Sequence, residues 1–289
     1  MQSTLKNLIN QTDRMSYLIE AHDGISAKIV EKCGGEGIWA SGFTISTACG
    51  VRDANELSWR DVLNILENIR FCTSIPILVD GDTGYGNFNN ARIFVKKLCG
   101  LGISGVVFED KVFPKINSFT DNNHVLAPIE EFCGKIKACK DAQTDSDFCV
   151  VARTEAFIAK QGLEEALNRA RAYVNAGADA VVVHSKQNTP CEILNFCNSW
   201  KKKAPIIIIP TTYTIDSPAS FVNKGVSCSI FANQLLRSAV RAMENTCKKL
   251  LSSCASKDID MATISEIFDL MNMQELNEAE LRYLGKREW

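Results

Sequence analysis

Eight short apolar runs, each followed by a stretch of helical periodicity, constrain this chain more than any other feature. They are MSYLIEA (15–21), GIWAS (37–41), IPILVD (75–80), GVVFED (105–110), FCVVART (148–154), ADAVVVHS (178–185), PIIIIPT (205–211) and CSIFAN (228–233). They are apolar throughout, as parallel strands covered on both faces must be. Between them, Ile25, Ile29, Val30 and Cys33 mark one helix face, and Leu57, Val62, Leu63, Leu66 and Ile69 another. ARIFVKKLCGLG stops at Gly100 and Gly102, and LEEALNRARAYVNAGAD stops at Gly177. Eight strand–helix units in 289 residues predict an α/β fold, a closed (β/α)8 TIM-type barrel, over an open doubly wound sheet. No Pro- or Ser-rich linker divides it. The barrel is expected over 1–245 and a C-terminal helical extension over 246–289, whose amphipathic FDLMNMQELNEAELRYLG suits docking on the barrel or on a neighbouring subunit.

A formal net charge of −2 gives no reason to expect a nucleic-acid or membrane-surface partner. Lys96-Lys97 and Lys201-Lys202-Lys203 read as solvated helix faces. The stretch MQSTLKNLINQTDRMSY is a poor secretory signal, and no run approaches eighteen apolar residues, so the expected location is cytoplasmic. The 12 cysteines form no CxxC pair and several, such as Cys49, Cys72, Cys149 and Cys228, lie among apolar residues; reduced thiols are expected. Three histidines without ligand spacing to a cysteine pair argue against zinc.

In a barrel of this kind, catalytic groups sit at the C-terminal strand ends. Here those ends are polar: Trp39-Ala40-Ser41-Gly42, Asp80-Gly81-Asp82, Glu109-Asp110-Lys111, Arg153-Thr154-Glu155, His184-Ser185-Lys186, Thr211-Thr212 and Asn233-Gln234. Asp80 and Asp82 are expected on one side of an extended segment. With Glu109 they make three hard oxygen donors, which suit Mg²⁺. Solvated turn acids are the plainer reading of D-x-D, and it loses ground once Glu109 and Arg153 stand nearby. Arg153 has two readings, a clasp for a carboxylate or phosphate and an internal ion pair with Glu155 or Glu109. Ser41-Gly42 reads as an anion seat or an ordinary turn, and His184 as a ligand-facing or a core histidine. Asp53, with Glu56 three residues on, reads as the start of a helix. These residues suggest an enzyme that holds a small multiply charged oxo-acid or phosphorylated carboxylate.

The stretches DGDTGYGNFNNAR (80–92), EDKVFPKINSF (109–119), GIWASGFTISTACGVRDANELSW (37–59), KIKACKDAQTDSDFCVVARTEAFIA (135–159) and NAGADAVVVHSK (175–186) strongly resemble the phosphoenolpyruvate mutase family, within the isocitrate lyase and phosphoenolpyruvate mutase superfamily. The resemblance spans about residues 16 to 245. It implies interconversion of phosphoenolpyruvate and phosphonopyruvate, the step that forms the P–C bond in phosphonate biosynthesis, with Mg²⁺ as cofactor. It places Mg²⁺ at Asp80, with Asp82 and Glu109 holding it largely through water. It seats the pyruvyl carboxylate at Ser41, Gly42 and Phe43, lets Trp39 wall the pocket, and puts Arg153 and His184 on the substrate. It sets Asp53 beside the migrating phosphoryl group, against the helix-start reading. It makes 111–120 a gating loop bearing Lys115, Asn117 and Ser118. It also implies a homotetramer whose barrels exchange their last helices.

Three positions depart from the family pattern: Phe43 for a smaller aliphatic residue, Ala40 for a glycine and Phe119 for a leucine. The lyase motif K-K-C-G-H is absent, which counts against isocitrate or methylisocitrate cleavage. Asn117 favours the mutase over the related phosphonopyruvate hydrolase.

Overall fold

The computed structural model describes residues 4–120, 124–201, 203–253 and 259–284. Its eight parallel strands are β1 (Ser16–Ala21), β2 (Gly37–Ala40), β3 (Ile77–Asp80), β4 (Gly105–Glu109), β5 (Cys149–Thr154), β6 (Ala180–Val183), β7 (Ile206–Ile208) and β8 (Val226–Phe231). They close into a barrel in sequence order, β8 returning to β1 with Cys228 opposite Ser16 and Phe231 opposite Ile19. The described helices are α1 (Leu5–Ile9), α2 (Gly24–Lys32), α3 (Gly42–Ala48), α4 (Trp59–Cys72), α5 (Phe88–Gly100), α6 (Ile129–Ala142), α7 (Gly162–Asn175), α8 (Cys191–Trp200), α9 (Pro218–Val222), α10 (Gln234–Ser253), α11 (Ile264–Leu270) and α12 (Met273–Tyr283). Each expected strand is present. β7 is the shortest, bounded by Pro205 and Pro210, which lack the N–H a strand ladder uses.

Strand alternation decides what fills the barrel. Leu18, Trp39, Leu78, Val107, Val151, Val182, Ile207 and Ile230 share one interior cluster with Leu5, Leu8 and Ile9 of α1. Ile38, Val79, Val106 and Ala152 point the other way, into the layer under the helices. The first residues of β2 and β4 are glycines because α1 packs there: a Cβ on Gly105 would stand 2.6 Å from Leu5 Cδ2. Two residues further along an inward row the side chain points inward again. Those next residues, at or just past the strand ends, are Glu20, Asp80, Glu109, Arg153 and His184. The same pleat that builds the apolar filling therefore lifts ionisable groups onto the C-terminal rim.

Helix faces follow the sequence less closely. On α4, Val62, Leu63, Leu66 and Ile69 are buried as expected. On α2, Ile25 and Ile29 face outward, and Ser26, Ala27 and Val30 are the buried residues. Rotation there is set by the cap, where Asp23 accepts from Ser26 N–H and the Ser26 hydroxyl answers. Asp53 does not start a helix. Ser58 caps α4 in a capping box with Asp61, and Glu56 instead accepts from Arg52 N–H at 2.8 Å. Cys149 and Cys228 are buried, Cys72 is half-buried and Cys49 is exposed; no disulfide forms among the described residues. Lys96 and Lys97 are exposed on α5. Because α8 ends at Trp200, Lys201 and Lys203 lie beyond it and on no helix face, while Lys202 lies outside the described residues.

The chain divides into two compact units, Met1–Leu236 and Arg237–Trp289. In the second, α11 and α12 bury none of their residues, and Ile264, Phe268, Leu281 and Tyr283 are exposed. Part of the expected C-terminal extension, 254–258 and 285–289, lies outside the described residues. No described helix is long and apolar enough to cross a membrane.

Glu20, fully buried at the end of β1, accepts from Leu235 N–H at 3.0 Å and Leu236 N–H at 3.2 Å, and so holds the N-terminus of α10. Its other oxygen meets His22 Nδ1 at 2.6 Å. Burial depresses the His22 imidazolium, but the hydrogen bond and charge of Glu20 outweigh it and raise its pKa above the ordinary histidine value. A raised folded-state value stabilises fully below about pH 6.5 and fades as pH climbs through it. The stability lost in His22→Gln, measured by urea unfolding, is therefore expected to be larger at pH 6 than at pH 8.5. Equal losses at both would remove the pairing.

Candidate active site

Four of the rim's acids gather at the ends of β3 and β4. Beyond Asp80 the chain leaves the strand, so alternation does not place Asp82. Asp82 itself is left-handed (φ 50°), as are Gly84 and Tyr85. Gly81 runs so close to β4 that a Cβ there would stand 2.6 Å from Val106 Cγ2. Lys135 of α6, buried, clamps the turn by donating to Thr83 O at 2.5 Å and Gly86 O at 3.2 Å. The turn still brings the carboxylates together. A Cβ on Gly42 would lie 3.1 Å from Asp82 Oδ1 and 3.2 Å from Asp80 Oδ2, and Gly42 N–H donates to Asp80 Oδ2 at 3.2 Å. Glu109 is buried and its Oε1 has no hydrogen-bond partner. Burial, with Asp80, Asp53 and Glu109 adding to it and Lys115 opposing, pushes Asp82 up to about 7. Excess negative charge and an orphaned buried oxygen fit a hard divalent cation. Among the described residues no three Asp, Glu, His or Cys side chains stand close enough to hold one ion alone, so water must complete the shell.

Arg153 realises its ion-pair reading. Its Nε pairs with Glu155 Oε1, and its Nη2 lies 3.7 Å from Glu109 and 3.3 Å from Ser118 Oγ. His184 Nδ1 is 2.8 Å from Arg153 Nη2 and 2.9 Å from Glu155 Oε1. Glu155 has no exposed surface. Burial alone would raise it, but Arg153, Lys111 and His184 outweigh burial and keep it ionised, well below the ordinary glutamate value. Burial and then the Arg153 charge hold His184 below its usual value, so the imidazole is neutral. It is not a plain core histidine, since both its neighbours are charged. Behind this group Asp110 accepts from Glu155 N–H at 2.8 Å and from Tyr173 O–H at 2.6 Å.

Residues 111–120 lie across the mouth. Lys111 Nζ donates to Ile116 O at 2.9 Å and Ser118 Oγ at 2.6 Å, and Ser118 O–H donates to Glu155 at 2.8 Å. Lys115 reaches down to Asp82 and, at 2.7 Å, to Asp53 Oδ1. Burial works against the Lys115 charge, yet Asp82, Asp80, Asp53 and Glu109 hold its pKa well above the usual lysine value. Asn117 Nδ2 donates to Asp53 Oδ2 at 2.6 Å. Phe119 sets its ring edge-on to His184 at 5.9 Å.

Asp53, Asp80, Asp82, Glu109, Lys115, Asn117, Ser118, Arg153 and His184 thus form one connected group. Ser41 caps α3 and Gly42 opens it against Asp80, while Phe43 is about one-third exposed beside them. Trp39 belongs to the barrel's interior cluster. Reading strand ends one residue at a time overlooks Glu155, Lys111, Lys135 and Asn55. The first two are in the strand-end motifs; nothing in their spacing marks them as the partners that keep Arg153 and Ser118 in place.

A family model described as phosphoenolpyruvate phosphomutase matches residues 5–251. A phosphoenolpyruvate phosphomutase of Tetrahymena pyriformis is 52% identical over 283 residues, covering 97% of this chain and 94% of its own. The crystal structure of a phosphoenolpyruvate phosphomutase from Streptomyces platensis subsp. rosaceus superposes with a TM-score of 0.94 at 38% identity, covering 97% and 98% of the two chains. A phosphonopyruvate hydrolase crystallised with oxalate and Mg²⁺ superposes with a TM-score of 0.90 at 37% identity, covering 97% and 98%.

Replacing Lys135 by Met strands two carbonyls at the turn that carries Asp82. The expected cost is about 1–3 kcal/mol of stability, read from the urea midpoint. Lys135→Arg should recover part of it. A Met variant as stable as the parent would mean the clamp is idle.

Proposed function

Because the chain belongs to the phosphoenolpyruvate phosphomutase family, we propose that the charged mouth of its barrel is where phosphoenolpyruvate and phosphonopyruvate interconvert. The protein is an intramolecular phosphotransferase, an isomerase. The observation that carries the site assignment is the connection of Arg153, Lys115, Asn117, Ser118 and His184 across one mouth covered by residues 111–120.

A phosphoryl group in flight between oxygen and carbon is metaphosphate-like, so the protein must position it and spread its charge. Asn117 and Ser118 offer an amide and a hydroxyl to the phosphoryl oxygens from the covering segment. Arg153 is held at Nε by Glu155, which leaves its Nη side to stabilise the enolate oxygens. Neutral His184 lies beside it as a hydrogen-bonding partner that adds no charge. The first turn of α3 at Ser41, Gly42 and Phe43 seats the pyruvyl carboxylate, and Asp53 flanks the migrating group, already in contact with Lys115 and Asn117. Mg²⁺, held by Asp80 with Asp82 and Glu109 around it, would supply Lewis-acid stabilisation of the substrate oxygens. Water must be excluded or the phosphoryl group is lost to hydrolysis, which is the work of 111–120. The assembly we propose is a homotetramer exchanging its C-terminal helices, supported by the exposed apolar side chains of α11 and α12. The buried free thiols of Cys149 and Cys228 support a reducing, cytoplasmic setting.

Phosphorus NMR of a reaction started with phosphonopyruvate tests the reading. Phosphoenolpyruvate is expected with Mg²⁺ and none without it. Inorganic phosphate as the main product would make the chain a hydrolase. Asp80→Ala is expected to lower turnover about a hundredfold or more, and undiminished Mg²⁺-dependent turnover would remove the metal assignment.

A further inference from the structure

Asn55 lies in the loop between α3 and α4, outside every role described above. Its side-chain Nδ2 donates to Asp82 Oδ2 at 2.8 Å, and its Oδ1 accepts from the backbone N–H of Lys115 at 2.8 Å. The partners leave no choice of orientation. Flipped, the amide would set its oxygen against a carboxylate and its NH₂ against an N–H. The backbone is left-handed at Asn55 (φ 55°), a conformation that asparagine tolerates and most side chains do not. Arg52 and Glu56 brace the same turn.

We propose that Asn55 is a positioning residue that couples the covering segment to the setting of Asp82. The segment touches Asp82 by two routes. Lys115 Nζ reaches Oδ1 directly, and Lys115 N–H reaches Oδ2 through Asn55. Two residues earlier, Asp53 takes the Lys115 and Asn117 side chains. One short loop therefore receives both the backbone and the side chains of the segment. When 111–120 lifts away, Asn55 loses the partner that orients its amide and Asp82 loses two donors together. The coupling is reciprocal: whatever fixes Asp82 favours the covering position.

The test uses Asn55→Gly, because glycine adopts φ near 55° freely and removes only the amide. Hydrogen exchange of backbone amides 111–120, in the protein without substrate, is expected to quicken about five- to tenfold, the effect of losing a single hydrogen bond. Exchange elsewhere in the barrel should stay unchanged. Asn55→Asp keeps an acceptor for Lys115 N–H but turns an acceptor toward Asp82; it should fail to restore the parent's behaviour. Adding Mg²⁺ should slow exchange of 111–120 in the parent and do so less in Asn55→Gly. The catalytic arm rests on the phosphomutase reading: kcat should fall about tenfold with KM little changed, and phosphate should appear beside phosphoenolpyruvate. Parent-like exchange in Asn55→Gly, or full restoration by Asn55→Asp, overturns the proposal. A parent protein that forms no phosphoenolpyruvate overturns the reading and leaves the exchange result standing.

Discussion

Glu155 is an ionised carboxylate with no exposed surface, and the rest of the mouth depends on how it is kept charged. A lone buried carboxylate would take up a proton. Here Arg153, Lys111, Ser118 and His184 all contact it, while Asp110 holds its backbone N–H. Each partner gains in turn. Arg153 is anchored at one edge, Lys111 is balanced where it holds Ile116 and Ser118, and His184 is fixed in orientation. Such networks contribute little net stability against an apolar core, but they fix geometry, and phosphoryl transfer depends on geometry.

The acids on the other side of the mouth are balanced differently. Asp53, Asp80, Asp82 and Glu109 face Lys115, and the surplus of negative charge shows in the raised Asp82 and in the unpaired oxygen of Glu109. One side of the mouth is thus closed electrostatically and the other is arranged for a cation. The turn carrying Asp82 bends through successive left-handed residues, and Lys135 and Asn55 hold it from opposite sides. Backbone in sparsely populated conformations persists only where neighbours over-determine it.

The aromatic departures from the family pattern fall at the margins of this charge pattern. Phe119 packs its edge on His184, where its ring covers a neutral imidazole beside Arg153. Phe43 stays partly exposed on the first turn of α3. Both enlarge the apolar wall around a polar site, and Phe119 does so from the segment that must keep water out.

Strand alternation was legible residue by residue. Apolar runs placed eight strands, and a period of two placed Asp80, Glu109, Arg153 and His184 on the inner face, because inward direction is a local property of extended backbone. Asp82 was legible as a site residue but for the wrong reason, since its turn leaves the strand and is held by Lys135 from α6, far along the chain. The outward turn of Ile25 and Ile29 was hidden because a cap, and not hydrophobicity, sets the rotation of α2. Asp53 shows the same limit: three-residue spacing to Glu56 imitates a helix start, and only its contacts with Lys115 and Asn117 show which job it has. By itself the sequence determined the barrel and the row of ionisable groups on its rim, for these need only backbone periodicity. Which carboxylate pairs with which cation was decided by tertiary structure alone, because buried charges choose partners by distance across the barrel mouth, and those partners come from strands and loops that sequence order keeps apart.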